Sequence, residues 1–301
     1  MSWSKVELHD LQLAGKIAHL TLDQIEKIIQ PGLEIAKLYD LIELYITKKA
    51  DLAFPPNISV DHCAAHDSAS INETRVLSKK ALVKVDIGAN VNGMLSDTAR
   101  TFSLDGKHSR LIKASKDALQ AAIQIIKPGL RVNEIGAAVQ DTIEALGFKP
   151  IANLTGHELE KGHLHSGLSI PSVISMPFAK RAKLKPGMIL AIEPFATNGK
   201  GMNSGYVEDA PSPPLIFSAR GNPKTAIGKL LVKRYEKVPF SLRSAARYLQ
   251  GQKIKFPSDL GTVLSGDNFH GYRPLVERTG GLVSQAEHTV LVTSNGGRII
   301  T

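Results

Sequence analysis

The chain has 301 residues, 43% hydrophobic and 22% charged, which is the balance of a soluble globular protein of one large domain or two. A single cysteine, Cys63, excludes an internal disulfide framework and suits a reducing compartment, so a cytoplasmic location is expected. No stretch approaches the roughly 20 apolar residues that cross a bilayer, and the opening MSWSKVELHDLQLAG is no signal peptide; the net charge of +9 leaves room for an acidic partner.

In chain order, the first readable feature is IIQPGLEIAKLYDLIELYI, from Ile28. Its Pro31-Gly32 pair ends one helix, and the residues after it open an amphipathic second one. FPPNISVDHCAAHDS follows, with His62 and His66. A lone histidine is more often a surface or core residue than a ligand, so neither stands out by itself.

The segment VKVDIGANVNGMLSDTARTF, Val83 to Phe102, says more. Val83, Val85 and Ile87 favour an extended chain, as do Thr98, Thr101 and Phe102. Between them, Asn92-Gly93 signals a tight hairpin turn with positive φ at both positions. Facing positions across a two-residue turn differ by an odd number. Asp86 and Asp97 differ by 11, so they share a face, opposite or diagonal. Two bare carboxylates there repel and are costly to bury unless something positive compensates. Lys84 is near but has the same parity as Asp86. Either this is a solvated face, or oxygens from two strands share a dication. The second reading needs more ligands elsewhere.

From Ile125 the chain repeats itself. IIKPGLRVNEIGAAVQDTI matches the segment from Ile28, with Pro31 and Pro128 97 residues apart. PNIS from Pro56 resembles ANLT from Ala152, and ALVKVDIG around Asp86 resembles MILAIEPF around Glu193. SDTARTFS around Asp97 resembles AEHTVLVT around Glu287. Four elements in one order point to two related α+β halves, each with helices over an antiparallel sheet. If the halves pack face to face, Asp86 and Asp97 meet Glu193 and Glu287 at the seam. A second histidine group, GHELEKGHLHSG, holds His157, His163 and His165. His157, read as lying in a polar loop behind Gly156, falls near the same seam. Four carboxylates and an imidazole suit two cations bridged at about 3.5–4 Å.

The second half is interrupted. Glu193 and Glu287 lie 94 residues apart, and Pro-rich APSPPL from Ala210 opens the extra material. AIGKLLVKRYEKV and SLRSAARYLQG within it read as helices. From Leu215 to Leu275 there are 11 Lys+Arg and 3 Asp+Glu, so a balance of +8 sits in this one segment. The expected organisation is a main domain of residues 1–214 and 276–301 with an inserted basic helical subdomain, 215–275.

Phe54-Pro55 with CAAH, KVDIGANVNGMLSDTARTF, GH with a second histidine, AIEPFAT and QAEHTVLV together resemble the methionine aminopeptidases of the pita-bread metallopeptidase superfamily. The interruption resembles the helical insertion of the type II enzymes, and the short N-terminal part is similar to the archaeal ones. The resemblance covers most of the chain. It implies a pita-bread α+β fold of two pseudo-symmetric halves and a monomer. It implies two divalent metal ions (Co, Mn, Fe or Zn), with Asp86 chelating one, Asp97 and Glu287 bridging both, and His157 and Glu193 holding the other. His66 and His165 match residues that contact substrate near the scissile carbonyl. Phe54, Leu164 and Tyr272 match positions lining the methionine pocket, and Glu193 matches a residue that moves protons. The implied reaction removes the initiator methionine from nascent proteins with a small second residue, by a metal-activated hydroxide. His62 and His163 match no functional position. Asp61 and Ser166 depart from the residues usual there, but neither matches a ligand.

Rival readings are a non-catalytic relative that has lost its ligands, and a proline dipeptidase. All five ligands are present, against the first. The repeat accounts for most of the residues before Asp86, leaving little room for the large leading domain of the second. The basic segment also reads as a surface for ribosomal RNA, beside the plainer reading of a solvated helical face.

Overall fold

The computed structural model describes residues 3–174, 182–201 and 204–301. Helix Lys5–Ile28 starts at a capping box. The Ser4 hydroxyl accepts from the Glu7 amide, and the Glu7 carboxylate accepts from the Ser4 amide. Leu11, Ala14, Ala18, Leu22 and Ile25 recur at helical spacing and are buried. This helix and the next, Ile35–Thr47, pack on Val83, Val85 and Ile87 of strand Leu82–Val91. That strand runs antiparallel to Asp51–Val60 on one side, and to Met94–Leu95 and Thr98–Ser103 on the other.

The second half repeats this plan. Helices Ser109–Ile125 and Val132–Ala145 pack on Leu190, Ile192, Val290 and Val292. Those side chains come from an antiparallel sheet in the order Gly296–Ile299, His288–Thr293, Ile189–Ile192, Thr155–Glu160, His163–Pro171. The likeness reaches the backbone. Each Pro-Gly bend puts its glycine at positive φ, +83° at Gly32 and +86° at Gly129, where a side chain would be strained. The Gly32 amide donates to the Leu77 carbonyl at 2.8 Å, and the Gly129 amide donates to the Leu184 carbonyl at 2.8 Å. Leu77 answers Leu33 at 2.9 Å, and Leu184 answers Leu130 at 2.8 Å. The two pseudo-symmetric halves expected from the repeat are therefore present.

Lys84 takes the parity expected of it and crosses the seam. Its buried Nζ donates to the carbonyls of Asp61, at 3.0 Å, and Val283, at 2.9 Å. It thus staples the two halves and leaves the acids uncompensated.

Residues 215–275 hold the helices Ala226–Tyr235, Leu242–Gly251 and Leu260–Ser265. They also hold a three-stranded antiparallel sheet absent from the helical reading, in the order Phe240–Ser241, Ile216–Ala219, Phe269–Tyr272. These strands are too short to show alternation. Phe217, Leu231, Phe240, Leu249, Leu264 and Phe269 form a separate core there. Among the described residues no helix is long and apolar enough to cross a membrane.

Candidate metal centre

The hairpin turns at Asn92-Gly93, both at positive φ. Register pairs Asp86 with Ala99, so Asp97, two residues earlier, sits diagonally from Asp86 on the same face. His157 corrects the sequence reading. It lies within strand Thr155–Glu160, paired to Ala191, and not in a loop. The polar residues around it belong to a bulged hairpin, which masks the alternation. Glu193 directly follows strand Ile189–Ile192, and Glu287 directly precedes His288–Thr293. The pairing of His288 with Ile192 brings those two ends together.

The seam is closed by hydrogen bonds between the halves. The Glu287 amide donates to the Ala99 carbonyl at 3.1 Å. The Thr98 hydroxyl donates to the Glu287 carbonyl at 2.8 Å. Gln285 is buried between acids from opposite halves, donating through Nε2 to Asp86 Oδ2 at 3.3 Å and to Glu287 Oε2 at 3.2 Å.

His157 Nε2 lies 3.4 Å from Asp97 Oδ2 and 3.6 Å from Glu193 Oε1. One ligand atom each of Asp97, His157 and Glu287 lie within 4.8 Å of one another. Asp86 Oδ1, Asp97 Oδ1 and His157 Nδ1 are buried with no hydrogen-bond partner among the described residues. Burial and the neighbouring carboxylates hold the protons of Asp86, Glu193 and Glu287 well above the usual range. Burial pushes Asp97 up to about 7 and His157 down to about 4. Crowded, unpaired carboxylate oxygens beside a neutral imidazole fit a hard or borderline divalent cation, which would satisfy the orphan lone pairs and the charge together.

A cavity of about 300 Å³ opens over these groups, and all ten residues singled out from the sequence line it. Phe54, Leu164 and Tyr272 supply apolar wall. The His66 ring stands edge-on to Tyr272 at 5.5 Å, and His165 stands edge-on to His157 at 4.4 Å. Burial lowers both His66 and His165 to about 4, so they are neutral near pH 7. His62, His163, Asp61 and Ser166 lie outside the lining. Asp61 adopts φ +54°, and its Oδ1 accepts from the Leu82 amide at 2.9 Å, a conformation that aspartate tolerates. Sequence reasoning missed Ile216 and Pro239, through which the inserted segment reaches the cavity, and also Gln285. The parity of Gln285 with Glu287 was its only signal.

Residues 9–294 match the family model for metallopeptidase family M24. The methionine aminopeptidase of Methanocaldococcus jannaschii is 35% identical over 295 residues, covering 96% of each chain. Among solved structures, the methionine aminopeptidase from Rickettsia prowazekii matches with TM-score 0.70 at 22% identity, over 100% of this chain and 99% of that one. A thermophilic Arx1 matches with TM-score 0.80 at 16% identity, over 99% of this chain and 91% of that one. These two likenesses speak for the fold, and the sequence matches speak for descent. The chain belongs to metallopeptidase family M24.

Proposed function

We propose that this chain is a methionine aminopeptidase, hydrolysing the bond after the initiator methionine of nascent proteins whose second residue is small. The observation that carries this reading is convergence. Four acids and one histidine, drawn from both halves, meet in a cavity that also takes in Phe54, Leu164 and Tyr272.

In this reading Asp86, Asp97, His157, Glu193 and Glu287 hold two divalent cations of Co, Mn, Fe or Zn. Bound there, such cations supply Lewis acidity and an acidified water. The chain's own groups do the rest. Phe54, Leu164 and Tyr272 receive the methionine side chain. His66 and His165, as neutral imidazoles, donate hydrogen bonds to the scissile carbonyl oxygen as charge builds on it. Glu193, at the edge of the metal centre, takes a proton from water and passes it to the leaving amine.

The second reading is a relative that keeps the fold alone. The intact set of acids and histidines stands against it.

We also propose a monomer that works in the cytoplasm, with residues 215–275 as an inserted subdomain that meets ribosomal RNA. Arg243 and Arg247 are paired with Asp40 and Glu43, and the charge offered outward includes that of exposed Lys224, Lys229, Lys233 and Lys237 beside Arg220, Arg234, Lys253 and Lys255. Replacing those lysines with glutamine should abolish salt-dependent co-sedimentation with ribosomes. Unchanged association would return the segment to a solvated face.

The test of the main proposal is methionine release from Met-Ala-Ser by chelator-stripped protein, with and without Mn²⁺ or Co²⁺, beside a Leu-Ala-Ser control. Metal-dependent release of methionine and little leucine is expected. Folded protein that releases nothing with any metal would overturn it.

A further inference from the structure

The walls of the cavity come from distant parts of the chain. Ile216, Pro239 and Tyr272 come from the inserted segment. His66 comes from the loop after strand Cys63–Ala65, and Phe54 from strand Asp51–Val60. Something must fix the distance between these walls, and one side chain of the inserted segment reaches both the His66 loop and the helix that packs on the Phe54 strand.

Arg243 stands in the first turn of helix Leu242–Gly251. Its guanidinium grips Asp40 of helix Ile35–Thr47 in a two-point fork, Nε to Oδ1 and Nη2 to Oδ2, each at 3.1 Å. Its Nη1 donates to the carbonyls of Ser70 and Ile71, each at 3.1 Å, in the loop that begins at His66. Beside it, the buried Tyr39 hydroxyl lies 2.8 Å from the hydroxyls of both Ser241 and Ser244 and donates to Glu43 at 3.1 Å. Ser241 caps the Arg243 helix and pairs directly with Ile216, which in turn pairs with Tyr272. The Arg243 side chain is mostly buried, while Asp40 stays 40% exposed, so the two carbonyl contacts are better shielded from water than the fork.

We infer that Arg243 is a positioning residue for the substrate cavity, holding the Ile216–Pro239–Tyr272 wall and the His66 loop at one spacing, and that this spacing sets the preference for methionine. The inference rests on the aminopeptidase reading for its substrate, and on the geometry alone for the clamp. Leucine has as many side-chain heavy atoms as methionine and differs in its branching, so an apolar pocket tells them apart by the shape of its walls. That discrimination survives only if the walls stay put.

The experiment compares Arg243→Met, Arg243→Lys and Tyr39→Phe with wild type. For Arg243→Met, KM for Met-Ala-Ser should rise about tenfold with kcat within about twofold. The ratio of Met-Ala-Ser to Leu-Ala-Ser kcat/KM should narrow about tenfold. Mn²⁺ binding to the stripped protein, by calorimetry, should stay within about twofold, since no metal-centre group is touched. Amides of residues 66–72 and 269–272 should exchange hydrogen faster. Arg243→Lys should fall between, because an ammonium cannot reach Asp40 and both carbonyls at once. Tyr39→Phe, which loses only hydroxyl contacts, should shift KM and the ratio about threefold in the same direction.

A folded Arg243→Met protein with wild-type KM and selectivity overturns the inference. So does a loss confined to kcat with weakened Mn²⁺ binding. Where Arg243→Met does not fold, an unchanged Tyr39→Phe protein overturns it. If the wild type itself releases no methionine, the aminopeptidase reading fails. The clamp is then judged by exchange alone, and unchanged exchange at 66–72 and 269–272 ends it.

Discussion

The hydroxyl of Thr289 grips the backbone of Asp97 from both sides, accepting from its amide at 2.7 Å and donating to its carbonyl at 2.8 Å. The two residues belong to different halves and both are buried. Thr289→Val keeps the shape and leaves two backbone groups without partners. It should cost about 2 kcal/mol of stability and weaken Mn²⁺ binding. Urea unfolding of the stripped protein and a Mn²⁺ titration check this. An unchanged midpoint and affinity would remove the grip from the account of the site.

In metal-stripped protein the four acids should make stability fall with rising pH. Burial raises Asp97 to about 7, and burial with neighbouring carboxylates raises Asp86, Glu193 and Glu287 well above their ordinary values. An acid raised in the folded state contributes fully below its unfolded value of about 4. That contribution is lost as pH climbs through the folded value. The Tm of stripped protein should therefore drop from about pH 4 through pH 7 and beyond. Saturating Mn²⁺ should remove the drop. Asp97→Asn should lessen it and raise the Tm of the stripped protein at pH 8, while abolishing methionine release. An identical pH slope in wild type and Asp97→Asn would contradict the assignment.

Phe54→Ala should damage choice of substrate more than metal binding. Phe54 lines the cavity but touches none of the acids by hydrogen bond. The preference for Met-Ala-Ser over Leu-Ala-Ser should fall about tenfold or more, with Mn²⁺ affinity near wild type. A preserved preference takes Phe54 out of the pocket.

Gly88→Ala tests the same wall from behind. A Cβ there would meet the Ser96 carbonyl oxygen at 2.2 Å and Phe54 Cε1 at 2.6 Å. Overpacking of this kind costs about 1–3 kcal/mol, and relief requires the phenyl ring to move. Lower Tm together with poorer methionine selectivity is expected. A lower Tm with intact selectivity would show that the carbonyl side yields instead.

The candidate site was more legible than its supports. Asp86, Asp97, Glu193 and Glu287 were found because each lies within or beside a strand whose apolar rhythm survives in the sequence, and because the Pro31 and Pro128 bends mark where the pattern restarts. His157 was placed at the right site on the wrong element, since the bulges in its hairpin break the two-residue alternation. Thr289, Gln285 and Arg243 act across separations of roughly 170 to 200 residues, where no local pattern exists to read. The small sheet of the inserted segment escaped for the opposite reason. Phe240–Ser241 is two residues long and follows no period at all.

The matched brackets at Gly32–Leu77 and Gly129–Leu184 each close a loop of about fifty residues within one half. The contacts that assemble the cavity, from Glu287 to Ala99 and from Thr289 to Asp97, span nearly four times that length. Local closure is favoured early and distant closure late. During synthesis the first half can therefore be built and bracketed while the cavity lacks Glu287. Any activity the cavity supports begins only after Glu287 has left the ribosome. An enzyme for newborn chains is, on this geometry, silent for almost all of its own birth.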